Sequence, residues 1–334
     1  MSEQGLPRIA VTMGDPAGVG PELCLRLLAN PEMRRICIPI VYGDFSILSR
    51  VAEVCSLPTP ERRVMSNEWA DASADISQPT VLDMSSDGME TVQAGLVGEA
   101  TGRAGYAYLA EAIRAALGRE VDAICTAPLN KEALRAAGVP FPGHTEILAD
   151  KTGADRVCMM LTSDEITCAF VTAHVGYHEV PGLLNEERIV ETIELAADAM
   201  RRLRGRAPKL IVCGLNPHAG EKGLFGNREE ELIIEPAIEK ARAKGIEIEG
   251  PLPPDTAFLP WRRAETDCFI CMYHDQGHIP LKALAFDKAI NVTLGLSIVR
   301  TSVDHGTACD IAWQGKANPG SLYEAVGLAA RLAR

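Results

Sequence analysis

The chain has 334 residues, of which 47% are hydrophobic and 23% charged, so it is long enough for two globular domains of ordinary composition. Its formal net charge of −12 argues against a general surface for nucleic acid or anionic membranes. No apolar run approaches the roughly 20 residues of a membrane span, and MSEQGLPRIAVTMG has no secretory leader pattern. We expect a cytoplasmic protein with no nucleic-acid or membrane partner.

Strands and helices alternate along most of the chain, which is typical of α/β folds with largely parallel sheets. Apolar runs predict strands over 8–13, 38–43 and 121–128. Helical spacing and stop signals predict helices that begin near Pro21 and span 103–117 and 130–138. Residues 58–90 are polar and lack periodicity, which predicts a loosely structured outer region.

Three further buried strands are predicted within ITCAFVTAH (166–174), KLIVCGLNPH (209–218) and DCFICMYH (267–274). Asn185 and Gly205 are predicted to bound a helix between the first two, with acidic residues at its start and arginines at its end. A second helix is predicted over 228–245 with a kink at Pro236. Its acidic run is interpreted as a solvated face.

The ten cysteines are scattered, and several lie within apolar runs. Cys268 and Cys271 form the one CxxC pair, without the second pair that a structural zinc site needs and inside a predicted strand, whereas redox CxxC motifs sit at a helix start. We therefore predict reduced cysteines that serve as small core residues.

Each of the three later strands ends in a histidine: His174, His218 and His274. In open α/β sheets ligands collect beyond the carboxyl ends of the strands, so these imidazoles could converge on one divalent metal. The competing interpretation is that each histidine caps its strand or forms hydrogen bonds in a loop. The residues alone leave both interpretations open.

The remaining histidines carry weaker signals. In FPGHTEIL, His144 lies between Gly143, which lets a ligand approach the backbone, and the hydroxyl of Thr145. His178 and His278 each follow a strand-end histidine by four residues. Nearby glycines, and proline in the second case, argue against helices there, so a position behind the metal ligands or on the surface is predicted for both.

A local group of cations is predicted to bind an anion. Lys282, Lys288 and Arg300 fall in one short segment with Asn291 between them, which suits a phosphate or carboxylate. The loop MGDPAGVGPE fits neither the Rossmann fingerprint nor the phosphate-binding P-loop, and no G-x-S-x-G element occurs.

The segments GDPAGVGPE, FPGHTEIL, NPHAGEKGLFG, GPLPPDTAF, YHDQGHIPLK, NVTLGL and RTSVDHGTA together resemble the 4-hydroxythreonine-4-phosphate dehydrogenase family over nearly the whole chain. GDPAGVGPE and HGTACDIAWQGKANP are also similar to signatures of isocitrate and isopropylmalate dehydrogenases. The resemblance implies two α/β/α domains of that type with the active site in the interdomain cleft. The predicted domains are 1–136 plus 305–334, and 137–304, the latter with the metal and substrate ligands and the dimer interface.

The resemblance also implies roles for individual residues. One divalent metal (zinc, magnesium or cobalt) would be bound by His174, His218 and His274. The implied substrate contacts are His144, Thr145, Lys282, Asn291 and Arg300. Gly306, Thr307, Ala308 and Asn318 would line a pocket for NAD or NADP. Asp275 and Lys282 are the candidate catalytic residues, with Asp275 either relaying a proton or orienting a histidine. The family's homodimers share their active sites between subunits.

The implied reaction is oxidation and decarboxylation of a 4-phosphorylated 3-hydroxy acid. The substrate is 4-phosphohydroxy-L-threonine, on the way to pyridoxal phosphate, or D-threonate or D-erythronate 4-phosphate, in sugar-acid breakdown. A relative that oxidises an aromatic dihydrodiol dicarboxylate is one alternative. A metal-dependent phosphate-ester hydrolase and a catalytically silent ligand-binding relative are the others.

Overall fold

A computed structural model describes residues 5–285 and 288–334. The strands are β1 (Arg8–Thr12), β2 (Ile38–Gly43), β3 (Arg63–Met65), β4 (Thr80–Asp83), β5 (Ala123–Thr126), β6 (Cys158–Thr162), β7 (Thr167–Phe170), β8 (Lys209–Cys213), β9 (Glu247–Leu252), β10 (Cys268–Cys271), β11 (Ile290–Leu294) and β12 (Arg300–Ser302). The helices are α1 (Gly20–Ala29), α2 (Met33–Ile36), α3 (Phe45–Cys55), α4 (Trp69–Ala72), α5 (Glu99–Leu117), α6 (Lys131–Ala136), α7 (His144–Thr152), α8 (Val180–Leu183), α9 (Glu186–Arg204), α10 (Glu235–Ala243), α11 (Pro254–Ala257), α12 (Pro260–Glu265), α13 (His274–Ala285) and α14 (Gly320–Leu332).

The chain forms two compact units, one up to Asp155 together with Leu296–Arg334, the other Arg156–Gly295. These bounds differ from the predicted domain boundaries, because residues 137–155 and 296–304 pack with the first unit. Within that unit α7 packs against α5, and β12 pairs with β5.

The first unit contains a fully parallel sheet in the order β3-β4-β2-β1-β5-β12. Its central strands are apolar at consecutive positions because both faces of the sheet are covered by helices. Ile9, Ala10 and Val11 of β1 are fully buried. Helix α5 packs against β1 and β2, and α14 packs against β5 and β12.

The prediction that 58–90 is loosely structured was wrong. This segment contains β3 and β4, and all four residues of β4 are buried. Strand β4 pairs with β2 and β3. A completely buried strand of four residues is too short to show a hydrophobic period, and its polar flanks concealed it.

The second unit has a mixed sheet in the order β11-β6-β7-β10-β8-β9. Strands β11, β6 and β7 pair antiparallel, whereas β7, β10, β8 and β9 pair parallel. Leu161, Phe170, Phe269 and Leu281 belong to its buried core.

The cysteines of this core are unpaired thiols, as the sequence predicted. Cys268 and Cys271 are fully buried in β10, and neither forms a disulfide. Burial raises the pKa of both thiols well above the ordinary value. They therefore act as small apolar residues.

The two long helices of the second unit have the predicted start and stop residues in part. The Asn185 side chain accepts a hydrogen bond from Arg188 N at 2.8 Å, and Gly205 ends α9 in the left-handed region with φ 67°. Near Pro236 the second helix divides into a π-helical turn, Glu230–Ile234, and α10. Among the described residues, no helix is both long and apolar enough to cross a membrane.

Candidate functional site

The three strands that lead to the predicted metal ligands are neighbours. Strand β10 pairs in parallel with β7 on one side and β8 on the other. Adjacent strands lie about 4.8 Å apart, so the chain leaves all three at one edge of the sheet within roughly 10 Å. His174 follows β7, His274 follows β10 and His218 follows β8.

His174 and His274 lie side by side, with ring centroids 5.5 Å apart. Two imidazoles bound to one tetrahedral zinc at about 2.1 Å would have centroids roughly 5 Å apart. The spacing of this pair and its imidazole nitrogen donors therefore fit a divalent metal.

His218 is held in an unusual loop. Residues 218–222 all adopt left-handed backbone angles, with φ 54° at His218 itself. Its ring lies 5.9 Å from that of Phe225. Among residues 5–285 and 288–334, no three histidine, cysteine, aspartate or glutamate side chains are grouped to hold a metal. The structure thus brings together two of the three predicted ligands.

Two buried carboxylates anchor the His218 loop. Glu230 accepts hydrogen bonds from the backbone N of Asn216 at 2.7 Å and from its Nδ2 at 3.0 Å. Glu229 accepts from the same Nδ2 at 2.9 Å and from the backbone N of Asn227 at 2.8 Å. Left-handed non-glycine residues cost free energy and persist only where the surroundings fix them. The clamp formed by Glu229 and Glu230 supplies that constraint.

The prediction that this acidic run is a solvated face was therefore wrong for Glu229 and Glu230, which are 6% and 2% exposed. The π-helical turn that begins at Glu230 directs both carboxylates toward Asn216. The one sequence signal was the asparagine- and glycine-rich loop just before the run, whose backbone N–H groups need acceptors.

Asp275 contacts His274 directly. Its Oδ1 accepts a hydrogen bond from His274 Nδ1 at 2.6 Å, and its Oδ2 accepts one from the Tyr177 hydroxyl at 2.5 Å. The hydrogen bonds from Tyr177 and then His274 lower the pKa of Asp275 below its ordinary range. This arrangement directs Nε2 of His274 toward a ligand, and it favours the orienting role of Asp275 over proton relay.

His278 lies in a helix, contrary to the sequence argument from Gly277 and Pro280. Gly277 is required there because a Cβ would lie 2.7 Å from the Phe170 ring and 2.8 Å from the Cys271 thiol. His278 stacks on His274 with centroids 3.5 Å apart. Burial lowers the pKa of His278 to about 4, so its ring is neutral at pH 7.

The first unit gathers two of the predicted substrate contacts at the end of β5. Arg300 is 3% exposed, and its Nη2 donates to the Thr126 hydroxyl at 2.7 Å. Burial lowers the pKa of Arg300 to about 10. Nε2 of His144 is buried and has no hydrogen-bond partner. Burial, reinforced by Arg300, lowers the pKa of His144 to about 3.

His144 is expected to make the stability of the protein depend on pH. Because its folded pKa lies below the unfolded value of 6.5, its contribution is complete above pH 6.5 and is lost as pH falls toward 3. His144→Gln should reduce the slope of unfolding free energy against pH by up to one proton, about 1.4 kcal/mol per pH unit. Urea unfolding of the wild type and of His144→Gln at pH 7.5, 6 and 5 measures this slope. Equal slopes in the two proteins would contradict the expectation.

The other predicted contacts are distributed over both units. Thr145 is exposed at the start of α7 in the first unit. In the second unit, Asn291 is half-buried in β11, where it pairs with Leu161. Lys282 is half-buried on α13, roughly 12 Å along the helix from His274.

The predicted cofactor residues lie in the first unit, near the glycine-rich N-terminal loop. Val19 N donates to the carbonyl of Thr307 at 3.0 Å. A Cβ on Gly306 would meet open space, so a ligand can approach that backbone, and the loop fits a nicotinamide cofactor in this respect. Ala308 has left-handed φ 42°. Asn318 accepts from Gly320 N at 2.9 Å, which gives it a role at the start of α14.

Comparison with known proteins identifies relatives along almost the whole chain. The chain is 44% identical over 334 residues to a 4-hydroxythreonine-4-phosphate dehydrogenase of Geobacter metallireducens, covering 98% of this chain and 96% of that protein. It is 42% identical over 328 residues to a D-threonate 4-phosphate dehydrogenase of Cupriavidus necator, covering 98% of each. The crystal structure of a 4-hydroxythreonine-4-phosphate dehydrogenase from Klebsiella pneumoniae matches with a TM-score of 0.86 at 39% identity, covering 98% of this chain and 100% of that one.

These matches confirm the predicted fold class and the predicted resemblance. Residues 35–329 also match the family described as "Pyridoxal phosphate biosynthetic protein PdxA". The identities of 44% and 42% do not separate the two activities. The chain belongs to the PdxA family of pyridoxal phosphate biosynthetic proteins.

Proposed function

We propose that the protein is a metal-dependent NAD(P) dehydrogenase that oxidises and decarboxylates a 4-phosphorylated 3-hydroxy acid. The substrate is 4-phosphohydroxy-L-threonine or D-threonate or D-erythronate 4-phosphate. The observation that carries the proposal is the match along almost the full chain to dehydrogenases named for both kinds of substrate. The proposal places the reaction in the cytoplasm.

His174, His218 and His274 are the proposed metal ligands. The distance of 5.5 Å between the ring centroids of His174 and His274 supports this assignment. When bound, a divalent metal such as zinc, cobalt or magnesium supplies a Lewis acid that polarises the oxygen at C3. Asp275 fixes the tautomer of His274 so that Nε2 is the nitrogen available for the metal.

Arg300 and His144 are proposed to bind the substrate's anionic groups, together with Lys282, Thr145 and Asn291. The buried guanidinium of Arg300 stays protonated at pH 7 although its pKa is lowered. A buried cation with fork geometry suits a phosphate or carboxylate. The unpartnered Nε2 of His144 supplies one further hydrogen-bonding group for the same ligand.

Gly306, Thr307, Ala308 and Asn318 are proposed to line the cofactor pocket. When bound, NAD or NADP supplies the hydride acceptor. The loop's own contribution is backbone that a ligand can approach closely, since Gly306 carries no side chain. The predicted location of the active site in the interdomain cleft stays a prediction.

We propose a homodimer formed through the second unit. Each of the three histidine-bearing segments also presents exposed apolar side chains, namely Val175 and Tyr177, Leu224 and Phe225, and Ile279 and Leu284. A group of exposed apolar side chains is typical of an interaction site. Its position next to all three proposed ligands supports active sites shared between subunits.

The testing experiment follows absorbance of the reduced nicotinamide with metal-loaded protein and each of the three phosphorylated acids in turn. We expect turnover of one of them, and a chelator should abolish it. An aromatic dihydrodiol dicarboxylate and a release assay for inorganic phosphate form two further arms. Phosphate release without nicotinamide reduction would favour the hydrolase alternative. Binding of one of the phosphorylated acids with neither nicotinamide reduction nor phosphate release would favour a catalytically silent relative.

A further inference from the structure

We propose that Gln276 is a positioning residue that sets the separation of His218 and His274 by joining the ends of the strands that carry them. The inference rests on the metal site proposed above and concerns how the protein builds that site.

The amide of Gln276 spans two strand ends. Its Nε2 donates to the carbonyl of Gly214 at 2.7 Å, and its Oε1 accepts from Met272 N at 2.6 Å. Gly214 directly follows β8 and Met272 directly follows β10. The side chain is 6% exposed, so both hydrogen bonds lie away from water. One side chain therefore links the two segments just before they reach the histidines.

Thr172 extends the same linkage to the third strand. Its hydroxyl donates to the carbonyl of Met272 at 2.7 Å, and its backbone N donates to the same oxygen at 3.2 Å. Thr172 is buried, two residues after β7 and two before His174. Both backbone groups of Met272 are thus held, one by Gln276 and one by Thr172.

Because the linkage lies at the strand ends, just before the histidines, its hydrogen bonds position the site in addition to stabilising the fold. The strand pairing ends at Ile270 with Val212 on one side and at Cys271 with Phe170 on the other. On the β7 side backbone hydrogen bonds continue, from Val171 N to Cys271 O at 2.9 Å and from Thr172 N to Met272 O at 3.2 Å. Toward β8, beyond Ile270 and Val212, the Gln276 amide makes the link between the two segments. Asparagine is about 1.5 Å shorter and would not span both partners. Glutamate would place an acceptor against the Gly214 carbonyl.

The test compares Gln276→Met with the wild type and with Thr192→Val. Methionine keeps a similar length and removes both hydrogen bonds. Thr192 is a matched control, because it is a buried residue of α9 whose hydroxyl donates to Arg188 O at 2.9 Å, away from the Gln276 linkage. The first measurement is NMR of ¹³C-labelled histidine rings in metal-free protein. We expect the signals of His218 and His274 to move in Gln276→Met and to stay in place in Thr192→Val.

The second measurement is the affinity for Co²⁺ by calorimetry. Residues that support metal ligands typically contribute 10–100-fold to metal affinity, so we expect Gln276→Met to bind Co²⁺ about tenfold more weakly. If the ring signals move in Gln276→Met but neither this variant nor the wild type binds Co²⁺, the proposed metal site is wrong and the positioning role of Gln276 stands. Unchanged ring signals, or ring shifts with Co²⁺ affinity within twofold of wild type, would overturn the inference.

A second variant covers the case in which Gln276→Met does not fold. Gln276→Glu retains the acceptor for Met272 N and loses the donor to Gly214. We expect this variant to move the His218 ring signal more than that of His274. Equal movement of both, or of neither, would contradict the proposed linkage.

Discussion

Alanine in place of His274 is expected to lower turnover of the phosphorylated substrate by about 10³-fold. Polarisation of a reacting oxygen by a bound metal contributes several kcal/mol to the transition state, and about 4 kcal/mol corresponds to that factor. The variant also removes the side chain that Asp275 orients and on which His278 stacks. Initial rates of nicotinamide reduction and the metal content of the purified protein measure the two effects.

His178→Ala is the matched control for this variant. His178 follows His174 by four residues, as His278 follows His274, but it is exposed on a turn. Its loss is expected to leave the rate within twofold of wild type. Retention of more than a tenth of the activity by His274→Ala, or a comparable loss in His178→Ala, would contradict the assignment of His274 as a metal ligand.

The sequence predicts those parts of the fold that long apolar runs encode. Strands β1, β2, β5, β7, β8 and β10 were located because each is an apolar run near glycine, proline or a polar turn. Strands β3 and β4 were missed because their flanks are polar, whereas β5, β7 and β10, which have four residues each, lie within longer apolar runs. Helix α13 was missed because Gly277 and Pro280 normally interrupt helices, whereas here the buried position of Gly277 against Phe170 requires a glycine.

The candidate site was predictable to the level of strand ends and no further. Parallel strands bring their carboxyl ends to one edge, so the strand-end histidines indicated the edge at which His174 and His274 lie side by side. The conformation of the His218 loop depends on Glu229 and Glu230, which reach back to Asn216 across a helical turn. An acidic run with helical spacing is usually solvated, so the run itself does not indicate that these two carboxylates are buried.

Methionine in place of Arg300 is expected to raise KM for the phosphorylated substrate by about 100-fold while raising the thermal stability of the ligand-free protein. Charge-assisted hydrogen bonds contribute about 1.5–3 kcal/mol each, and 2.8 kcal/mol corresponds to 100-fold. The stabilisation follows from burial, which lowers the pKa of Arg300 to about 10 and so disfavours its charged form in the fold. Steady-state kinetics and thermal unfolding without ligand measure the two quantities.

Lys288→Met removes the same charge from an exposed side chain of the cationic segment. We expect this control to leave KM within threefold and the melting temperature within about 1 °C, since exposed charges contribute little. The two effects of Arg300→Met distinguish a binding residue from a structural one. If Arg300 stabilises the fold, its removal lowers the melting temperature. If it serves to bind an anionic ligand, it destabilises the ligand-free protein, and its removal raises the melting temperature. A fall in melting temperature together with unchanged KM would assign Arg300 to the fold and leave phosphate recognition to Lys282.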